Sequence, residues 1–109
     1  MGHSEKQLNS TAEAGRLHAE GIQALAEERL EDAVFALRRA LELDPTLERA
    51  WNDLGVLMEA LGNPVEAGRC YRRALQVEPR HSEAYANLGL LTLQMDLAHA
   101  LYRQAYAAF

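Results

Sequence analysis

The side chains that could do chemistry in this 109-residue sequence are four histidines, a single cysteine and a short acidic cluster. Zinc peptidases place two histidines four residues apart on one helix face, with a glutamate beside the first. No histidine here has that spacing, and no serine or cysteine lies in a nucleophile motif. We therefore expect no catalytic site, no bound metal and no cofactor. The histidines are His3, His18, His81 and His99.

The cysteine and the acidic cluster both favour structural interpretations. Cys70 has no second cysteine to pair with, so the chain can form neither an intramolecular disulfide nor a cysteine-based metal site. Its place on a predicted helix favours a small packing residue over a reactive thiol. The acids flank a predicted turn, where they favour the N-terminus of the next helix, so we expect a solvated turn and no cation site. They are Glu27, Glu28, Glu31 and Asp32.

The charge balance excludes two classes of partner. The net charge is −5, and both nucleic acids and anionic membranes require clustered Lys and Arg. The arginine pairs at 38–39 and 72–73 recur with a fixed spacing, and we expect them to point outward and to pair with Glu42 and Glu78. No apolar run approaches the ~18 residues of a membrane span. We expect a cytoplasmic protein, with an exported or membrane-anchored parent as the alternative.

A spacing of 34 residues organises the chain. An aromatic residue, a Leu-Gly pair, a small alanine with a large side chain four residues later, and a closing proline recur at this spacing. The matched sets are Trp51, Leu54 and Gly55 with Tyr85, Leu88 and Gly89; Gly21 with Gly55; Ala33, Leu37 and Ala40 with Ala67, Tyr71 and Ala74; and Pro45 with Pro79. This pattern resembles the tetratricopeptide repeat, and the resemblance covers residues 14–109.

The resemblance implies an all-α fold, a right-handed α-α superhelix of helical hairpins with about five to six helices. Each repeat contributes an A helix followed by a B helix. We expect one domain over residues 10–109, with repeats at about 14–47, 48–81 and 82–109, preceded by a disordered segment over residues 1–9. Three repeats are about the minimum that buries a continuous core.

Capping signals set the predicted helix boundaries. Ser10 begins a capping box with Glu13, and Asp44-Pro45 places an acceptor and a proline at a helix start. Asn63 precedes a proline in the same way before the second B helix. The predicted helices are 10–26, 30–43, 45–61, 64–77 and 82–94.

The third repeat is three residues short. Ala98, Tyr102 and Ala105 match the second repeat at a spacing of 31, and the missing residues correspond to the turn Gly62-Asn63-Pro64. Two alternatives follow: a sharp turn near Met95-Asp96, or one fused helix over about 82–108. A fused helix could not fold back on itself, and shortened hinges favour exchange between chains. The residues expected to self-associate are Leu97, Leu101, Tyr102, Ala105 and Phe109.

The resemblance also implies a binding groove, because the A helices of tetratricopeptide proteins line the concave side. In this sequence the groove would contain an apolar strip flanked by amide and carboxylate groups. Such a surface suits a short peptide or a helix. The binding positions carried over are His18, Ile22, Arg49, Asn52, Asp53, Val56, Glu83, Asn87 and Leu90, with Gly15, Ala19, Glu59, Ala86 and Leu93 beside them. Acids at 53 and 83 replace residues that grip a C-terminal carboxylate in one branch of the family, so we do not expect that ligand.

Taken together, the sequence predicts a non-catalytic protein interaction module that binds a peptide or helix segment in its groove. The first alternative is a module that self-associates, dimerising by exchange of its C-terminal helix. The second alternative is the recognition arm of a larger enzyme. The last residues carry no polar capping helix, so we expect a fragment of a longer array, a self-associating unit, or both.

Overall fold

The computed structural model describes residues 5–107, and over this range the chain is built from α-helices without strands. The helices pack as two antiparallel hairpins, α1 with α2 and α3 with α4, and α5 packs against α4 and α3. The predicted all-α fold of helical hairpins is confirmed. The five helices are α1 (Glu5–Ala26), α2 (Leu30–Leu43), α3 (Glu48–Ala60), α4 (Pro64–Val77) and α5 (Ser82–Ala107).

Glycine at each hairpin crossing allows the two helices to come close. A Cβ added at Gly21 would lie 2.8 Å from Leu37 Cδ2, and one added at Gly55 would lie 2.5 Å from Tyr71 Cε1. Real Cβ atoms essentially never lie this close to another heavy atom, so a larger residue at either position would force the Leu37 or Tyr71 side chain to shift. Leu37 and Tyr71 are each 0% exposed and belong to one continuous hydrophobic core. The matched glycines therefore fix how deeply the B helices pack against the A helices.

The boundaries predicted for α2 and α4 are confirmed. Asn63 caps α4 by accepting a hydrogen bond at Oδ1 from the Glu66 amide at 3.3 Å, and Pro64 occupies the first helical turn. Gly62 ends the preceding turn with φ of +78°, a left-handed conformation that glycine adopts without steric cost. Local capping chemistry is sufficient to set the start of α4, whereas α2 begins at Leu30 without a side-chain cap.

The predicted start of α1 at Ser10 is wrong, because the helix begins five residues earlier at Glu5. No Gly or Pro interrupts residues 5–9, and the Thr11 hydroxyl donates to the Gln7 carbonyl at 3.0 Å, which is a contact within a helix. Glu13 binds Arg16 Nε at 3.0 Å, so its carboxylate serves an ion pair instead of a capping box. Residues 5–9, expected to be disordered, are helical, and residues 1–4 lie outside the described range.

The predicted start of α3 at Pro45 is also wrong, because that helix begins at Glu48. Asp44 accepts a hydrogen bond at Oδ1 from the Thr46 amide at 3.0 Å, which closes a turn before the helix. The Trp51 indole then donates to the Pro45 carbonyl at 2.8 Å and holds this turn against α3. The helix ends at Ala60, one residue before the predicted Leu61.

Of the two alternatives for the third repeat, the structure has the fused helix. The turns between A and B helices in the first two repeats each contain a left-handed residue, Glu28 with φ of 60° and Gly62 with φ of 78°. The third repeat lacks the residues that would form this turn, so α5 continues through Met95 to Ala107. Residues 95–107 of α5 form a projecting segment, here called the C-terminal arm, in which only Ala100 is even half-buried.

The close crossings predict opposite effects of one substitution at two glycines. Gly55→Ala should lower the free energy of unfolding by about 1–3 kcal/mol, because the new methyl group meets the Tyr71 ring. Gly15→Ala should raise it by up to about 1 kcal/mol, because that helical position is open and alanine favours helix. Urea denaturation of both variants measures the difference, and equal effects would contradict the close crossing at Gly55.

Candidate protein-binding face

The predicted groove residues lie on the three A helices, α1, α3 and the first half of α5, and their surface is here called the A-helix face. Ile22, Val56 and Leu90 occupy equivalent positions on these helices and are 41%, 39% and 56% exposed. Leu93, one turn after Leu90, is also exposed. Exposed aliphatic side chains thus follow one another from repeat to repeat, as an apolar strip requires.

A ladder of polar side chains joins the A helices beside this strip. His18 Nε2 lies 2.7 Å from Asp53 Oδ2, which links α1 to α3. The Asn87 amide donates to Asn52 Oδ1 at 3.0 Å, which links α3 to α5. Both pairs are 35 residues apart, so the same contact between neighbouring repeats is made twice. The four side chains predicted to meet a ligand therefore also bind one another and hold the repeats in register.

Burial divides these polar residues into two kinds. Asn52 is 1% exposed, so its carboxamide serves the helix stack and is closed to a ligand. His18 and Asp53 are partly exposed, with 20% and 24% of their side-chain surface accessible, and Asn87 is half-buried. The rim that a partner could touch therefore consists of the His18-Asp53 pair and the outer edge of Asn87.

The Glu59 carboxylate accepts a hydrogen bond from a side chain of α4. The Tyr71 hydroxyl donates to the Glu59 carboxylate, which ties α4 to α3 near the end of the hairpin. Burial raises the pKa of Tyr71, and the hydrogen bond and negative charge of Glu59 raise it further. Tyr71 therefore stays protonated and acts as a fixed donor in the core.

The remaining predicted positions are exposed on the same helices. Arg49 on α3 and Glu83 on α5 supply one positive and one negative charge, and the small residues Gly15, Ala19 and Ala86 are also exposed. With Asp53 and Glu59, the A-helix face carries more carboxylates than cationic side chains. The structure thus brings the predicted set onto adjoining helices, with Asn52 beneath the surface.

The self-association residues lie elsewhere, on the C-terminal arm. Leu97, Leu101 and Tyr102 are 58%, 57% and 60% exposed, and Ala105 is exposed beside them. The Tyr102 and Tyr106 rings contact each other with centroids 5.1 Å apart. Phe109 lies outside the described residues. The arm therefore presents an apolar surface that is separate from the A-helix face.

The other chemically capable residues have structural roles. Cys70 is 1% exposed, and burial, with the nearby Glu66 charge, raises the pKa of its thiol to about 11. His81 accepts a hydrogen bond at Nδ1 from the Ala84 amide at 3.0 Å and so caps α5. This cap is hard to predict from sequence, because histidine is outside the usual N-cap set. Neither side chain is placed for catalysis.

The acidic cluster is organised around an arginine. Arg29 donates through Nε to Glu27 and through Nη1 to Asp32, both at 2.9 Å. A hydrogen bond from Gln23, followed by that from Arg29, lowers the pKa of Glu27. Over residues 5–107 no three His, Cys, Asp or Glu side chains are grouped to hold a metal ion, and no helix is both long and apolar enough to cross a membrane.

The expected arginine pairings are met in part. Arg39 binds Glu42 at 3.0 Å, as predicted, on the exposed side of α2. Arg73 instead stacks over the Trp51 indole, 5.7 Å from the ring centroid, and Glu78 accepts from the Arg80 amide. The Trp51 contact joins α4 to the start of α3.

Comparison with known proteins identifies a helical repeat family and similar folds. A family model for the tetratricopeptide repeat matches residues 24–91. Two crystal structures of MamA superpose with TM-scores of 0.75, at 23% and 22% identity, covering 88% and 91% of this chain and 52% and 62% of those chains. The TPR domain of Sgt2 from Aspergillus fumigatus superposes with a TM-score of 0.71 at 26% identity, covering 77% of this chain and 56% of that one. The search of curated proteins returned no match.

The chain spans between about half and three-fifths of each of these structures. At 22% and 23% identity, the two MamA structures show a shared fold.

The raised pKa of Cys70 predicts a loss of stability at alkaline pH. The unfolded thiol ionises near its ordinary pKa of 9.0, whereas the folded thiol keeps its proton to about 11, so the free energy of unfolding falls as pH rises between these values. We expect a loss of about 1 kcal/mol between pH 8 and pH 10. Urea denaturation at both pH values measures it. Cys70→Ala should show a clearly smaller loss, and an identical loss would contradict the assignment to Cys70.

Proposed function

This chain belongs to the tetratricopeptide repeat family, and we propose that it is a non-catalytic module that binds a peptide or helix segment along the A-helix face. Tetratricopeptide domains are in general protein interaction modules. The observation that carries the proposal is the exposure of Ile22, Val56 and Leu90 at equivalent positions of three successive A helices. Exposure of aliphatic side chains to water is unfavourable, and a partner that covers them removes this unfavourable free energy.

The polar surroundings of the strip indicate what kind of partner fits. Asp53 and Glu83 place negative charge on the A-helix face, and Arg49 places a positive charge there. An anionic segment would meet carboxylates of like charge, which lower its affinity. A segment with apolar side chains and a Lys or Arg would instead meet apolar side chains and carboxylates of opposite charge. Asn87 adds an amide at the rim that can bind a partner backbone.

Pre-organisation supports the same face. The His18-Asp53 and Asn52-Asn87 hydrogen bonds hold α1, α3 and α5 together before any partner arrives. A partner then binds with little ordering of the receptor, which reduces the entropic cost of association. The strip and the ladder together make one continuous surface across all three repeats.

A second candidate function is self-association through the C-terminal arm. The specific observation is that Leu97, Leu101, Tyr102 and Tyr106 remain between 57% and 67% exposed on one helix. Large exposed apolar patches mark interaction sites in soluble proteins. A homodimer would cover them. If the chain is instead the recognition arm of a larger enzyme, the A-helix face would serve the same purpose there.

Two valines on different faces give a matched test of the binding face. Val56→Asp places a charge in the apolar strip, whereas Val65→Asp makes the same change at an exposed valine on α4, outside the A-helix face. A peptide array of 15-residue segments with apolar and basic residues supplies a ligand, and fluorescence anisotropy measures its affinity. We expect Val56→Asp to weaken binding at least tenfold and Val65→Asp to leave it within twofold.

Backbone chemical shifts give an independent readout of the same complex. Addition of the selected peptide should perturb amides of α1, α3 and the first half of α5. Perturbations confined to α2 and α4, or equal losses of affinity in the two valine variants, would overturn the proposed face.

A further inference from the structure

Four exposed leucines lie on one side of α5, two of them on the A-helix face and two on the C-terminal arm. Because an α-helix turns by about 100° per residue, all four fall within an arc of about 80° around its axis. Each is between 56% and 64% exposed. Successive members are three or four residues apart, which is the spacing of the seam along which coiled-coil helices pack. This leucine stripe consists of Leu90, Leu93, Leu97 and Leu101.

The described helices of the same chain pack on other sides of α5. The Asn87 amide donates to Asn52 of α3, and Leu91 lies closest to Gly68 of α4. Around the axis of α5, Asn87 and Leu91 are about 75° and about 115° from the middle of the leucine stripe. The stripe therefore faces away from α3 and α4, in agreement with its exposure.

The tyrosines of the arm lie on yet another side of α5. Tyr102 and Tyr106 are about 135° and about 175° from the middle of the leucine stripe. One packed helix covers only one side of α5, so a helix on the stripe contacts Leu97 and Leu101 and leaves both tyrosine rings in solvent. The exposed residues of the arm thus divide into two groups that different substitutions can test.

We propose that the leucine stripe is covered by the same stripe of a second copy of this chain, with the two α5 helices antiparallel. The stripe is centred between residues 95 and 96, and α5, over residues 82–107, is centred between residues 94 and 95. A reversed copy therefore places stripe on stripe and overlaps α5 along its length. The pair is an isologous, closed dimer. This inference rests on self-association, the second candidate function, and specifies its surface and direction.

Leucine meets leucine at the centre of this pair. With the two-fold axis level with Met95, Leu93 lies opposite Leu97 of the partner subunit, and symmetry repeats the contact. Leu90 lies opposite Ala100 of the partner subunit, with Leu101 of the partner subunit beside it. The leucines of both chains form one cluster, which removes from water the apolar surface that each free chain exposes.

The length of the stripe favours a second copy over a segment bound across the A helices. Such a segment crosses α1, α3 and α5 and meets Leu90 and Leu93, but it leaves Leu97 and Leu101 uncovered. A helix that covers all four must run along α5 and carry apolar residues at the same spacing, and α5 itself meets both requirements. The partner arm and a bound segment therefore exclude each other at Leu90.

Asp96 opposes this pairing and reveals its direction. It is exposed at the edge of the stripe, one residue from the level of the two-fold axis, so the two Asp96 carboxylates of an antiparallel dimer face each other. Solvent and salt screen the repulsion between them. In a parallel pair the same two residues lie on opposite flanks of the seam, because flanking positions there pair with different positions of the other helix.

Neighbouring side chains of the arm give a matched test of the surface. Leu97→Ala removes two central leucines from the dimer, one in each chain, whereas Tyr102→Ala changes a similarly exposed residue outside the stripe. Sedimentation equilibrium measures the dimer dissociation constant. We expect Leu97→Ala to raise it at least tenfold and Tyr102→Ala to leave it within twofold. Circular dichroism of each variant verifies that the helices remain folded.

Mixed dimers test the direction. When the parent chain is mixed with Asp96→Lys, the antiparallel pair places a lysine opposite an aspartate, so heterodimers should exceed the statistical proportion in native mass spectrometry. Met95→Lys is the control, because residue 95 lies on the side of α5 away from the stripe, and its mixture with the parent chain should be statistical. A statistical mixture for Asp96→Lys would overturn the antiparallel register.

The outcomes separate this inference from both candidate functions. A parent chain that stays monomeric at every concentration eliminates self-association and the inference together. A parent dimer that is weakened by Tyr102→Ala and unchanged by Leu97→Ala has its interface on the tyrosine side, so self-association survives and the leucine pairing fails. Leu97 lies outside the A-helix face, so neither result alters the test of peptide binding by Val56→Asp.

Discussion

The structure depends on the close approach of A and B helices at glycine. Tyr71 is buried because Gly55 leaves room for its ring, and Leu37 uses Gly21 in the same way. A buried aromatic side chain contributes much of its stabilisation through the apolar area removed from water. Because the A and B helices of both hairpins approach closely at glycine, the A helices lie side by side. Their outer surface is the A-helix face.

The polar ladder adds register to this packing. The fifth position of one repeat bonds the sixth position of the next, through His18 with Asp53 and again through Asn52 with Asn87. Hydrogen bonds depend on direction and distance, whereas apolar contacts tolerate sliding, so the ladder fixes the offset between neighbouring repeats. The polar residues that border the apolar strip therefore have a structural role in holding neighbouring repeats together.

The third repeat keeps the glycine of the crossing but lacks the turn. No helix packs on Gly89, and α5 extends past it and leaves the arm exposed. The left-handed backbone at Glu28 and Gly62 marks where the first two hairpins reverse. Because the third repeat has no residue in that conformation, the helical hydrogen bonding of α5 continues. The molecule therefore exposes apolar side chains on two separate surfaces, the A-helix face and the C-terminal arm.

The sequence by itself determined the repeat, the helical class, the ends of α2 and α4, and the missing turn, because each follows from spacing or from a local cap such as Asn63. It did not determine the starts of α1 and α3. Helix α1 continues through Ser10, whose predicted partner Glu13 accepts from Arg16, and Asp44 accepts from the Thr46 amide before α3 begins. Only the tertiary structure decided that Asn52 is buried and that His18 meets Asp53. Those contacts join residues 35 apart, and their distance depends on how the helices stack, which no local pattern encodes.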